Sequence, residues 1–385
     1  MLPSLVSLAL CFAARAAGQT ETVLLSFNLT REGSGSQTAG EALDQEGSLY
    51  GVTSGTSFTE ILRLNSSGHK TLLHRFDTAV TTGTPAIDTQ GNVYGTDLTG
   101  GAFGEGDIFR ITPAGDLTEL YSFQGPDGAN PFSTLVFDSE GNLYGTTING
   151  GGANFGTVFK LTPAGVFTTL YSFKGGTSDG ANPGGIILLD SVAVASGPLA
   201  LDKKGNLYGT TTAGGANDFG TVFQLTPAGV ESLLVSIAGE PSNPLVNEGL
   251  VIDHDGNLYG TTLFGGLDIA NGSVFRVSPK GIFKEIHAFA ADAEEGEVPT
   301  SIVAVDAEGV LYGTTTIAGL AMGGTLYSLT SKGTFTLLHN FPGPGTQADG
   351  SEPYTTPVVD EQGNLYGDTT KGGRQNAGVV YRVEP

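Results

Sequence analysis

The chain has 385 residues, of which 60 are Gly and 15% are charged; this is about double the usual glycine share and well below the ~25% charge of ordinary globular proteins. Neither Gly nor Pro follows a collagen period, so collagen, coiled coil and disordered polyelectrolyte are excluded, and the absence of Trp removes the signature residue of WD40, kelch and quinoprotein repeats. With 17 Lys and Arg against 39 Asp and Glu, the formal charge is −22, which repels phosphate backbones and anionic lipid and excludes nucleic acid as a partner.

In chain order, residues 5–14 form an apolar stretch too short to span a bilayer, followed by the small-x-small pattern Ala14-Arg15-Ala16. This predicts a signal peptide over residues 1–18 and a single domain over residues 19–385. Cys11, the one cysteine, falls inside the signal, so the exported chain must be held by packing and topology without disulfides. No later stretch is apolar enough for a membrane span. The expected location is extracellular, at the cell surface or in the periplasm.

A first strand is predicted over residues 22–27, Thr-Val-Leu-Leu-Ser-Phe. Seven copies of one unit follow, marked by turns that begin at Asp44, Asp88, Asp138, Asp202, Asp253, Asp306 and Asp360. Each turn leads to a Tyr, at positions 50, 94, 144, 208, 259, 312 and 366, a period near fifty residues. Each unit reads as four short strands, A to D. Asp-x-x-Gly joins A to B, with the Asp accepting local backbone hydrogen bonds and the Gly taking positive φ; Thr-Pro-Ala-Gly at Thr162 joins C to D. The spacing from Tyr144 to Tyr208 is about a dozen residues longer than its neighbours. There, residues 186–190 and 199–202 both resemble strand A, and the second, which adjoins the turn, is predicted to be the strand. Residues 186–197 are then an extended loop between strands D and A.

After Tyr366 there is room only for a strand C before the chain ends at Pro385. The missing strand D is at the other end, because residues 22–27 match Thr169-Leu-Tyr-Ser-Phe173. The prediction is an all-β, seven-bladed propeller with four antiparallel strands per blade, its ring closed by residues 22–27 completing the last blade. An open solenoid would not need complementary ends.

The units Gly-Asn-Leu-Tyr-Gly-Thr-Thr at Gly141 and Gly205, Gly-Thr-Val-Phe at Gly156 and Gly220, and Leu-Thr-Pro-Ala-Gly at Leu161 and Leu225 resemble the GloVer tandem-repeat family of exported bacterial proteins. The resemblance covers nearly all of the chain beyond the signal and implies export. It brings no catalytic residues with it. More distantly, the Asp-x-x-Gly-Asn-Leu-Tyr strand pair is similar to NHL and streptogramin-lyase propellers, an analogy of fold.

Strand A lines the channel of a propeller, so its residues are the first candidates for chemistry. The second residue before each turn Asp is Ala42, Ala86, Val136, Ala200, Val251, Ala304 or Val358, and Glu41 and Glu248 are the acids close by. The sequence therefore predicts an apolar channel and no catalytic residue. His74, His287 and His339 occupy the strand D position of Tyr121 and Tyr171, where lateral packing is the expected role. The turn aspartates are expected to cap hairpins; Asp253 and Asp255 are calcium candidates, although no distal bidentate Glu follows them.

Strand alternation puts the tight turns on one face and the long B-to-C and D-to-A loops on the other. The long-loop face carries the candidate ligand-binding residues Asp127, Asn130, Asp179, Asn182, Glu248, Glu294, Glu295, Asp349 and Glu352. The expected function is non-catalytic binding of an extracellular protein or glycan through this acidic face by a monomer that needs no cofactor, calcium aside. The alternative is a propeller enzyme, a lyase or hydrolase, with its site at the channel mouth.

Overall fold

The computed structural model describes residues 21–27, 41–54, 58–77, 83–184, 187–189, 192–194, 197–237, 249–263, 271–289, 294–343 and 349–384. They form seven antiparallel sheets, each with four strands in the order A-B-C-D and that of blade 3 joined by a fifth, Ala129–Pro131, together with three two-stranded sheets and no helix. Blades 1 to 7 are numbered by their turn aspartates in chain order. The predicted propeller is the observed fold.

Blade 3 shows how the repeat builds a sheet. Strand A (Val136–Phe137) pairs with strand B (Leu143–Asn149), B with C (Thr157–Leu161), and C with D (Phe167–Ser172). The Gly of Leu-Tyr-Gly is required by close packing. Gly145 lies opposite Phe159, and a Cβ on it would stand 2.6 Å from the Phe159 ring and 2.9 Å from Leu135. The same column pairs Gly95 with Phe109, Gly209 with Phe223, Gly260 with Phe275, Gly313 with Tyr327 and Gly367 with Tyr381. Blade 1 departs from it, because Gly51 lies opposite Leu62. These aromatics interlock with strand D of the preceding blade, as in the edge-to-face contact of Phe123 with Phe159 at 5.3 Å and of Phe173 with Phe223 at 5.1 Å.

Each turn aspartate does more than the sequence indicates. Asp138 Oδ1 accepts the backbone N–H groups of Glu140 and Asn142, and Oδ2 accepts the Asn142 amide and the Tyr144 hydroxyl at 2.9 Å. The Tyr-to-Asp bond recurs in all seven blades, at 2.9–3.1 Å. The Tyr of the repeat therefore locks its own turn.

Ring closure is as expected. Glu21–Ser26 pairs antiparallel with Val379–Val383, and the Phe27 N–H donates to the Gly378 carbonyl at 3.1 Å. Blade 4 takes Ala200–Leu201 as its strand A. Within the segment expected to be an extended loop, Ile187–Leu189 pairs antiparallel with Val192–Val194; Ile187, Val192 and Val194 are β-branched and favour strand pairing. Residues 1–18, where the sequence predicts a signal peptide, lie outside the described residues.

Candidate functional site

The D-to-A loops reach the long-loop face through a recurring clasp. Asn130, Asn182, Val298 and Glu352 each precede a Pro and adopt φ of 56–59°. Their N–H groups donate to carbonyls at the B-to-C end of the preceding blade: Glu105, Phe155 and Asn271 in the loops and Gly323 early in strand C, at 2.7–3.1 Å. A β-branched residue at positive φ, as at Val298, is strained, and these bonds hold it there. The loop aspartates fix the other side. Asp127 accepts the Tyr121 hydroxyl and the Gln124 N–H; Asp179 accepts the Tyr171 hydroxyl at 2.9 Å and the Lys174 N–H at 2.8 Å.

Most of the predicted ligand-binding residues thus have partners inside the protein. The Asn130 and Asn182 amides donate to the carbonyls of Leu98 and Ile148. Glu295 meets His287 Nε2 at 3.1 Å, and Glu352 meets Lys371 Nζ at 2.8 Å. Glu294 and Asp349 are exposed. Glu248 lies outside the described residues. On the same face the B-to-C connections present Phe103, Phe155 and Leu320, and the start of strand C of blade 6 presents Met322; they are 60, 39, 58 and 66% exposed.

The histidines sit between blades. His74 Nδ1 is 3.2 Å from the Gly115 carbonyl, His287 stacks on Phe335 at 4.9 Å, and His339 Nε2 lies 3.1 Å from Glu21. At the calcium candidates, the Asp253 carboxylate accepts four hydrogen bonds, from the N–H groups of Asp255 and Asn257, the Asn257 amide and the Tyr259 hydroxyl. Burial alone would raise its pKa, but these donors outweigh burial and hold it below the usual range. Asp255 is exposed beside His254, 3.2 Å away. Among the described residues no group of three or more His, Cys, Asp or Glu is placed to hold a metal ion.

Reading only strand A missed two carboxylate pairs that the blades reveal when compared column by column. In blades 3 and 4 a Thr near the end of strand B and the first residue of strand C form hydroxyl pairs, Thr147 with Thr157 at 2.8 Å and Thr211 with Thr221 at 2.9 Å. Blade 2 places Asp97 opposite Asp107 there. Burial first, then the charges of Asp97 and Glu119, push Asp107 up to about 7. The second pair joins blades 7 and 1. Asp368 occupies the position of Thr96, Thr146, Thr210, Thr261 and Thr314, and Glu41 that of Leu135, Leu199 and Leu250. Glu41 and Asp368 are 5% and 1% exposed and in hydrogen-bonding contact; Thr355 donates to Asp368 at 2.6 Å and also contacts Glu41. Both pairs lie at the long-loop ends of the strands, in blades 7, 1 and 2.

The solved structures that the fold resembles include enzymes. A streptogramin B lyase matches with a TM-score of 0.61 at 13% identity, over 95% of this chain and 98% of that one. A virginiamycin B lyase from Staphylococcus aureus, crystallised as a catalytically inactive variant with quinupristin, matches with a TM-score of 0.60 at 15% identity, over 95% and 100%. The extracellular domain of the hybrid two-component system BT4673 from B. thetaiotaomicron gives 0.60 at 12% identity, over 95% of this chain and 39% of that one. At these identities the likeness is one of fold. None of the curated proteins matches the chain in sequence. The profile of the Gloeobacter/Verrucomicrobia repeat matches residues 8–197 and 191–381, so nearly the whole chain is covered, and the protein belongs to the Gloeobacter/Verrucomicrobia repeat family.

Proposed function

We propose that this protein is an exported propeller that binds an extracellular protein or glycan through its long-loop face, without chemistry of its own. The observation that carries the reading is the composition of that face: exposed Phe103, Phe155, Leu320 and Met322 share it with exposed Glu294 and Asp349. Large apolar side chains left in water at loop tips, rimmed by charge, are the composition of a contact surface. The rigid clasps beneath favour presentation of a preformed surface, which lowers the entropy cost of binding. The acidic rim and the charge of −22 favour a partner with cationic groups, bound faster at low salt. Calcium, if taken up in the extracellular millimolar range, would be held by these loop acids, since the Asp253 carboxylate is already committed.

An array of glycans and proteins probed with the chain from residue 19 tests the reading. A hit should weaken at least tenfold in F103A/F155A and less in E294Q/D349N, whose effect should fade with salt; a hit untouched by all four changes would remove the long-loop face. Calorimetry on EDTA-treated protein with several millimolar calcium tests the ion. A lyase or hydrolase reading draws on one observation, an Asp107 held up to about 7 beside Asp97, the pattern of a general acid. A turnover abolished by D107N would favour it.

A further inference from the structure

Three departures from the repeat meet at one joint. Blade 1 has Leu62 where six other blades have Phe or Tyr opposite the strand B glycine. The smaller side chain leaves a cavity of about 20 Å³, lined by Leu25, Leu62, Val380, Glu41 and Asp368 among others, room for about one water. Glu41 stands beside Gly51, where the leucines of blades 3 to 5 cover the corresponding glycines, with its Cγ 3.9 Å from the position of a Cβ. Its carboxyl group meets Asp368 of blade 7.

The corresponding contacts elsewhere are neutral. Thr210 Oγ1 accepts the Gly249 N–H at 3.0 Å, Thr261 donates to the Ser301 carbonyl at 2.8 Å, and Thr314 to the Thr355 carbonyl at 3.2 Å; each joins one blade to the next. Only at the joint where the chain's two ends close the ring does this column bring two carboxyl groups together. Two full negative charges in contact inside a protein repel strongly, whereas one proton between them converts repulsion into a charge-assisted hydrogen bond.

We propose that Glu41 and Asp368 share one proton and form a pH-sensitive latch that holds blade 7 against blade 1, the ring being clamped in acid and loosened as the medium turns alkaline. The surrounding groups favour the proton. Tyr381 of blade 7 is fully buried and held neutral, by burial first and then by Glu41, Asp368 and Glu21. Thr355 donates to Asp368 at 2.6 Å, which stabilises Asp368 as the ionised hydrogen-bond acceptor and leaves the shared proton on Glu41. Lys70 lines the same cavity, and Glu21 reaches the joint through Tyr381 and faces His339. Burial, reinforced by Asp368, raises Glu41 well above an ordinary carboxyl group. A carboxyl raised in the folded state contributes stability below its unfolded pKa and loses it as pH rises through the folded value. The contact is therefore strong at mildly acidic pH and weak in alkali.

Hydrogen–deuterium exchange of the Glu21–Ser26 amides, corrected for intrinsic rates, reads the latch directly. Wild type, E41Q and E41L/D368T are compared at pH 5 and pH 8; the last pair restores the residues that blades 3 to 5 carry at these positions and fits the same packing. Protection of the closing strand in wild type should fall tenfold or more between the two pH values relative to either variant. Parallel pH profiles in wild type and whichever variants fold would overturn the proposal, because a merely structural contact would shift protection equally at both. Loss of protection in distant Leu258–Thr262 to the same extent would also overturn it, since the loosening would then be global.

Discussion

Asp138 holds two backbone N–H groups, an amide and a phenol with one carboxylate, so it is the residue on which a hairpin turns. Burial pulls its pKa up, and the four donors pull it below the usual carboxylate range; Asp88, Asp202, Asp253 and Asp360 behave alike. A lowered folded pKa stabilises above the unfolded value near 4 and is lost as pH falls through the folded one. Acid unfolding should therefore set in below about pH 4, and D138A should lower stability by about 2 kcal/mol at pH 7, an effect that denaturant titration should find shrinking as pH falls below about 4. Asp107 and Glu231 run the other way. Both are raised to about 7, first by burial and then by neighbouring carboxylates. Their contribution is lost as pH rises from near 4 to 7, so D107N should melt higher than wild type at pH 8 and no higher at pH 4. At Gly145 a methyl group would meet the Phe159 ring at 2.6 Å, and G145A should cost roughly 1–3 kcal/mol by overpacking. G165A has open space around it and φ of 79°, and should cost about 1 kcal/mol through backbone strain alone. Equal losses in the two variants would contradict the packing account.

At the scale of elements, the strands were legible because the repeat writes each one seven times in the same order. The turn chemistry was equally plain, since Asp-x-x-Gly and Thr-Pro-Ala-Gly fix dihedral angles locally. What escaped the sequence reading was contact between elements. The Tyr-to-Asp bond joins residues six apart across a turn, and the D-to-A clasp joins Asn130 to Glu105 of the blade before; neither follows from period-two alternation. Asp97, Asp107 and Asp368 were visible as breaks in a column of threonines. Their meaning depended on register, which sets Asp97 opposite Asp107, and on the neighbouring blade, which brings Glu41 to Asp368. The inserted pair, Ile187–Leu189 with Val192–Val194, has no counterpart among the described residues of the other blades. Replacing residues 191–197 by a short Gly-Ser link should leave the melting temperature within about 2 °C while weakening any ligand that the array identifies. Unchanged affinity in a folded variant would assign the inserted pair to packing.

For the whole molecule, the ring exists because its ends are complementary, and each blade is buried on both sides only while that closure holds. Residues Glu21–Ser26 supply the seam with five register pairs to Val379–Val383, and Phe27 is 4% exposed among Leu49, Leu62 and Val380. Removing the strand takes away a row of ladder bonds worth about 1 kcal/mol each in net terms, together with about 2–3 kcal/mol for the phenylalanine. It also exposes an apolar edge whose unpaired N–H and C=O groups invite other chains. A chain beginning at Gly33 should therefore lose at least 5 kcal/mol. At about 2 °C per kcal/mol for a protein of this size, that is a drop of at least 10 °C in melting temperature, accompanied by concentration-dependent aggregation. A synthetic peptide of residues 19–28 added in trans should recover part of the loss by refilling the seam, as mass action requires of any ligand that binds only the folded ring. A truncated chain that melts with the full-length protein and ignores the peptide would mean that the ring closes through its other contacts, and that the pairing of the chain's ends is dispensable.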